Sequence, residues 1–254
     1  MVKDALDCWM NLKKNIEIYK LCDFSQQRLN EVIPQMQRLE KAKVFKSKIY
    51  PDYDFSESVL ISISRVSPFM LEVIHDLFGS MYHLDFRRTS SVNIDIEEDR
   101  RDKDYDLCQN IDLFTHSHGV YENMYTLCKQ KKYPQHYIDY FLVIALTHDF
   151  GKCPRIYKHY ESRVKKDSKE VVKHQFISAL YVRDFLVSYN ERQTDSRFKL
   201  QERDIDMVAK TLNNHHANKP ADEVLELIDM LNQAEYMTRQ QEIATILKAQ
   251  KAQE

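Results

Sequence analysis

Glycine is scarce in this sequence: three residues in 254, where an average chain carries about 7%. Loops that wrap backbone around a phosphate need several glycines close together, so dinucleotide-fold and P-loop chemistry are excluded. A chain of this kind that handles phosphate must do so with side chains and cations. Cysteine supplies no scaffold either. The five present, Cys8, Cys22, Cys108, Cys128 and Cys153, are scattered and form no C-x-x-C pair, which argues against a disulfide framework and a zinc ribbon. No run approaches the roughly 18 consecutive apolar residues of a membrane span, so no membrane partner is expected. The opening residues MVKDALDCWMNLKKN are too charged for the apolar core of a signal peptide, and the expected address is cytoplasmic. An excess of charge is missing as well. The formal net of -2 does not mark a protein that coats nucleic acid or a membrane surface.

What is abundant is the helical spacing of apolar residues. Residues 6–41 read as one or two amphipathic helices with Trp9, Leu12, Ile16 and Tyr19 on one stripe, and 55–78 repeat the pattern with a break near Pro68. Residues 95–106 then carry seven acids against three bases and are expected to be a solvated connector. A boundary near residue 100 gives an N-terminal helical region over 1–100 and a second domain over 101–254. In the second, Leu113, Val120, Met124 and Leu127 mark one buried face. Pro134 suits the first turn of the next helix. Residues 137–146 are apolar almost all round, as a central helix would be, and Gly151 offers its stop. Further helices are expected over 171–187, from 205 through 212, and over 224–248. The fold class is all-α.

Most of the ten histidines lie between His116 and His216. A single core-facing histidine is usually structural, but these fall at the ends or inner faces of helices that must pack together. In LTHDFGK, His148 and Asp149 are adjacent at the end of the most apolar helix. Neighbouring side chains on a helix point about 100° apart, so both cannot face a core. Both can reach one ion beside the helix end, or share two ions through the carboxylate. An ionised aspartate next to so apolar a run needs a counter-charge, and a divalent cation supplies it. Lys152 follows closely and is placed to bind a substrate phosphate as a point charge.

His116 in FTHSHGVYENM, the pair His148–Asp149 with Phe150, Gly151 and Lys152 behind it, and the later histidines and carboxylate resemble the HD superfamily of metal-dependent phosphohydrolases. The similarity covers roughly residues 107–245. It implies an HD-type helical bundle, to which the N-terminal helical region is an addition. It also implies a first ligand on the inner face of the first helix of the domain. His116 shares the stripe of Val120, Met124 and Leu127; His118 does not, and suits a solvent-side or supporting role. His174 matches the next histidine of the family pattern. The last should come from LNNHHANKP, where the stripe Ile205, Val208, Leu212 runs on equally well to His215 or His216. The resemblance implies the first of the pair, His215, with His216 as fallback. The final ligand departs from the pattern: in QAEYMTRQQE, Glu235 stands where the family has an aspartate, and Asp229 lies six residues earlier. On a wheel of about 100° per residue, Glu235 falls beside the apolar face of Val224, Leu227, Leu231 and Ala234, while Asp229 is nearly opposite. Glu235 is therefore favoured and Asp229 kept as the alternative.

The implied ligands are His116, His148, Asp149, His174, His215 and Glu235 around one or two ions, with Asp149 bridging if there are two. Such a nitrogen and oxygen set suits manganese, iron, zinc, cobalt or nickel better than calcium, with magnesium also allowed. The implied reaction is hydrolysis of a phosphate ester or anhydride by metal-activated water, with Asp149 and Lys152 as catalytic residues. The expected partner is a phosphorylated small molecule, a nucleotide first of all, and Lys152, Arg155 and Arg239 are its candidate phosphate contacts. Residues 155–173, with seven bases against three acids, can steer an anion. Two alternatives stay open. One is an HD-like regulatory or scaffold module that binds metal without turnover. The other is a nucleic-acid-processing protein of the mobile-element kind, against which the net acidic charge counts. The N-terminal helices are expected to pack against the bundle or to form a homodimer interface.

Overall fold

The structure, a computed structural model, describes residues 26–51, 53–92, 107–164, 172–217 and 219–252. Among them are nine helices and no strand: α1 Gln26–Val44, α2 Glu57–Ile63, α3 Leu71–His83, α4 Leu113–Gln130, α5 Gln135–Thr147, α6 Pro154–Val164, α7 His174–Arg192, α8 Glu202–Asn214 and α9 Leu225–Lys251. The all-α class read from the apolar spacing is the class observed. The stripe from Trp9 to Tyr19, the acidic segment with the boundary near residue 100, and the lysine-rich residues 165–171 lie outside the described residues. No helix among the described residues is long and apolar enough to cross a membrane.

The chain forms two compact units, Met1–Phe45 and Lys46–Glu254. In the first, α1 continues through Pro34 and exposes Ile33 and Met36. The second holds everything that follows. The break expected near Pro68 separates α2 from α3, and both belong to the same unit as the later helices. There α3 touches α5, and the short turn Phe86–Arg88 rests on α4.

Helix α4 begins at Asp112, whose carboxylate accepts the Thr115 amide at 2.8 Å and its hydroxyl at 2.9 Å, satisfying a donor that the helix itself leaves open. Its inner face buries Val120, Tyr121, Met124, Leu127 and Cys128. Pro134 stands at the cap of α5, one place ahead of the first turn. Ile138 and the run from Phe141 to Thr147 are all buried, so α5 is the central helix its composition requires. Helices α4 and α9 pack along each other, and α7 lies on α8. At Gly119 the α9 side chain of Thr238 occupies the space a Cβ would need.

Helix α5 ends at Thr147, earlier than the stop expected at Gly151. No glycine has a positive φ, so Gly151 is not required as a left-handed cap. Its task is close approach. A Cβ there would collide with the His174 carbonyl and stand 2.9 Å from the Ser178 nitrogen. The bare Gly151 N–H instead donates to Ser178 Oγ at 2.8 Å. The first residue of α7, His174, is thereby drawn up against the end of α5.

Candidate metal centre

Because α5 stops at Thr147, His148 and Asp149 leave the helix in succession, and Asp149 takes a non-helical backbone conformation (φ -104, ψ 10). The two side chains can then serve one locus. His148 Nδ1 donates to the Ala145 carbonyl at 2.9 Å, and His215, at the end of α8, donates from Nδ1 to the Leu212 carbonyl at 2.6 Å. A carbonyl can only accept, so both rings carry a proton on Nδ1, which makes Nε2 the nitrogen that offers a lone pair when the ring is neutral. On α4, His116 Nδ1 lies 3.0 Å from Glu242 Oε1. Its Nε2 is 3.8 Å from Asp149 Oδ2, against 3.3 Å for His148 Nε2. From α7, His174 Nε2 comes within 3.4 Å of Asp149 Oδ1.

Asp149, His116 and His148 are 0% exposed. In this enclosed setting, Nε2 of His116, His148 and His215 and Asp149 Oδ1 lack a hydrogen-bond partner, while Asp149 Oδ2 has only the Lys152 ammonium at 3.0 Å. Each orphaned polar atom costs on the order of 1–3 kcal/mol, so convergent lone pairs of this kind call for a cation. The donor set fits one. His116, His148 and Asp149 offer atoms within 4.8 Å of one another, and so do Asp149, His174, His215 and His216. Asp149 belongs to both groups, and its two oxygens can serve one ion or bridge two. Imidazole and carboxylate together suit a divalent transition metal.

The electrostatics agree with the geometry. Burial, with Arg239 adding to it, pushes His116 below the usual imidazole range. Burial and the neighbouring His216 hold His215 well below that range, and burial takes His216 to about 4. These rings are neutral, which is the ligating form. Burial alone would raise Asp149, but the His148 and Lys152 charges outweigh it and keep the carboxyl well below the usual range. At His148, burial lowers and the Asp149 charge raises, and the latter prevails.

Of the residues singled out in the sequence, His116, His148, Asp149, His174 and His215 come together. His216 joins them, its ring centroid 4.0 Å from that of His215. Glu235 would be raised by burial, yet the field of His148 takes it to about 2. It is electrostatically part of the centre, although its oxygens lie outside both close groups. Asp229 sits exposed on α9 and takes no part. Lys152 is buried; its ammonium stands 3.0 Å from Asp149 Oδ2 and donates to the Ser91 carbonyl at 3.1 Å. It balances the aspartate rather than reaching open space. Arg155 lies on the surface, turned to the His83 carbonyl and Asp85. Arg239 donates to Glu242 Oε2 at 2.8 Å and to Ser91 Oγ at 3.0 Å. Sequence reasoning misses Glu242 and Ser91. Glu242 lies about two turns beyond Glu235 on one helix, a signal that was available, whereas nothing in the sequence marks Ser91.

His118 faces elsewhere. Its Nε2 meets Ser62 Oγ of α2 at 2.8 Å, and its ring stands edge-on to Phe78. Replacing His118 by alanine is expected to cost about 1 kcal/mol, roughly 2–4 °C in the unfolding midpoint, with metal content unchanged. Calorimetry paired with elemental analysis checks both, and lost metal would mean His118 does serve the centre.

No curated protein and no solved structure matches the chain. A family model described as HD domain matches residues 113–250, which takes in α4 through nearly all of α9 and every member of the two close groups. That span is more than half of the sequence, and the chain belongs to the HD-domain family.

Proposed function

We propose that the chain is a metal-dependent phosphohydrolase that cleaves a phosphate ester or anhydride, with nucleotides as the substrate class. The observation that carries this reading is one buried carboxylate, Asp149, shared by two groups of histidines, with Nε2 of His116, His148 and His174 within 3.8 Å of its oxygens. His116, His148 and Asp149 would hold one ion, and Asp149, His174, His215 and His216 a second. A cation held there brings the pKa of bound water toward neutrality and offsets charge on the attacked phosphoryl group. The chain's own residues prepare the site. Lys152 and His148 keep Asp149 ionised, the Ala145 and Leu212 carbonyls orient two of the rings, and burial strengthens every charge interaction within.

The test is a screen of nucleotides and generic phosphate esters with manganese, iron, cobalt, nickel, zinc or magnesium supplied. Hydrolysis is expected to require the ion. It should fall by more than about 100-fold in His148→Ala and Asp149→Ala chains that keep their circular dichroism, a loss beyond that of residues which only support ligands. Glu235, outside both close groups, favours one second reading: a centre that binds metal without turnover. Stoichiometric metal with no hydrolysis in the whole screen would select it.

A further inference from the structure

Two of the histidines, His148 and His215, are oriented by a carbonyl three residues back in their own chain, because each sits where a helix ends. His116 is oriented differently. It lies in the first turn of α4, where its amide donates to the Asp112 carbonyl at 3.1 Å. Its Nδ1 is turned to another element and lies 3.0 Å from Glu242 Oε1 on α9. That carboxylate is itself secured. Arg239 donates to its other oxygen at 2.8 Å, and also to Ser91 through Oγ at 3.0 Å and the carbonyl at 3.4 Å. The Ser91 carbonyl also receives Lys152, whose ammonium pairs with Asp149. The contacts close a ring from His116 through Glu242, Arg239, Ser91 and Lys152 back to Asp149.

Ser91 precedes the matched segment 113–250, yet it is anchored. Its amide donates to the Ile111 carbonyl at 2.9 Å, and the Leu113 amide donates to the Thr89 carbonyl at 2.7 Å. The ring therefore joins a strap outside the family segment to the heart of the centre.

We propose that Glu242 is a positioning residue of the metal centre: it accepts the Nδ1–H of His116, so that the Nε2 lone pair is fixed toward the ion. The inference rests on the metal reading above. A carboxylate that accepts from a ligating imidazole sets its tautomer and raises its basicity, and losing such a partner costs about 10–100-fold in metal affinity. Glu242 belongs to neither close group. Its effect passes through His116.

The experiment uses the full chain and its Glu242→Gln and Glu242→Ala variants. Each is titrated with Co(II), followed by visible absorption, and with Mn(II) by equilibrium dialysis, with the unfolding midpoint measured beside them. The glutamine variant keeps the shape and an acceptor oxygen but not the charge, and about tenfold weaker binding is expected. The alanine variant should approach 100-fold. Parent-like affinity in a folded Glu242→Gln chain overturns the proposal, whatever the alanine variant does. A parent chain that takes up no ion would sink the metal reading as well. A parent that binds, beside a glutamine variant that binds equally well, would sink the role of Glu242 alone.

Discussion

Replacing Asp149 by alanine is expected to abolish ion binding in both close groups at once. Each histidine belongs to one group, while Asp149 belongs to both, so no other single substitution should have so wide an effect. Stability supplies a second readout. An ion at 100 times its dissociation constant stabilises a folded chain by about 2.7 kcal/mol. For a domain of this size that corresponds to a rise of roughly 5–10 °C in the midpoint. The parent should show this rise with added ion and lose it with a chelator, and the Asp149→Ala chain should show neither. Without ion the variant should also be less stable than the parent. The Lys152 ammonium, 2% exposed and 3.0 Å from Asp149 Oδ2, would lose its counter-charge, and breaking a buried pair costs about 3–5 kcal/mol. A metal-dependent rise that survives in the variant would contradict the shared-carboxylate arrangement.

The second large effect is expected at Gly151. An added methyl there meets the His174 carbonyl and the Ser178 backbone nitrogen, which are main-chain atoms at the start of α7 and cannot swing aside as a side-chain tip would. Overpacking costs about 1–3 kcal/mol and occasionally more, and a clash with backbone belongs at the upper end. Gly151→Ala should therefore lose about 3 kcal/mol in denaturant unfolding. The same displacement would carry His174 away from Asp149 and weaken the ion held on that side. An alanine variant with parental stability and parental ion affinity would show that α7 can retreat without consequence.

The sequence was legible where the signal was local. A 3.6-residue apolar period yields the all-α class, and α4, α5 and α9 fall close to where the spacing places them. The same period separates His116 from His118, because only His116 shares the stripe of Val120, Met124 and Leu127. It also separates Glu235 from Asp229, which is exposed. It could not separate His215 from His216, since both follow the last turn of α8, and the structure brings both to Asp149.

What stayed hidden depends on what lies across a contact. Gly151 reads as a helix stop because glycine commonly ends helices, but its need for bare backbone comes from α7. Lys152 and Arg239 read as phosphate contacts because charge type alone cannot reveal burial or a partner such as Ser91. Arg155, three residues beyond Lys152, faces Asp85 on the surface. Glu242 becomes meaningful only once α9 is known to lie along α4.

The most direct test is the metal content of the purified chain and of its Asp149→Ala variant, each reconstituted with manganese, iron or zinc and then dialysed. The expected result is one or two equivalents per parent chain, one for each close group that fills, and almost none in the variant. A parent that holds no ion after reconstitution, or a variant that holds as much as the parent, would contradict a metal centre built on Asp149.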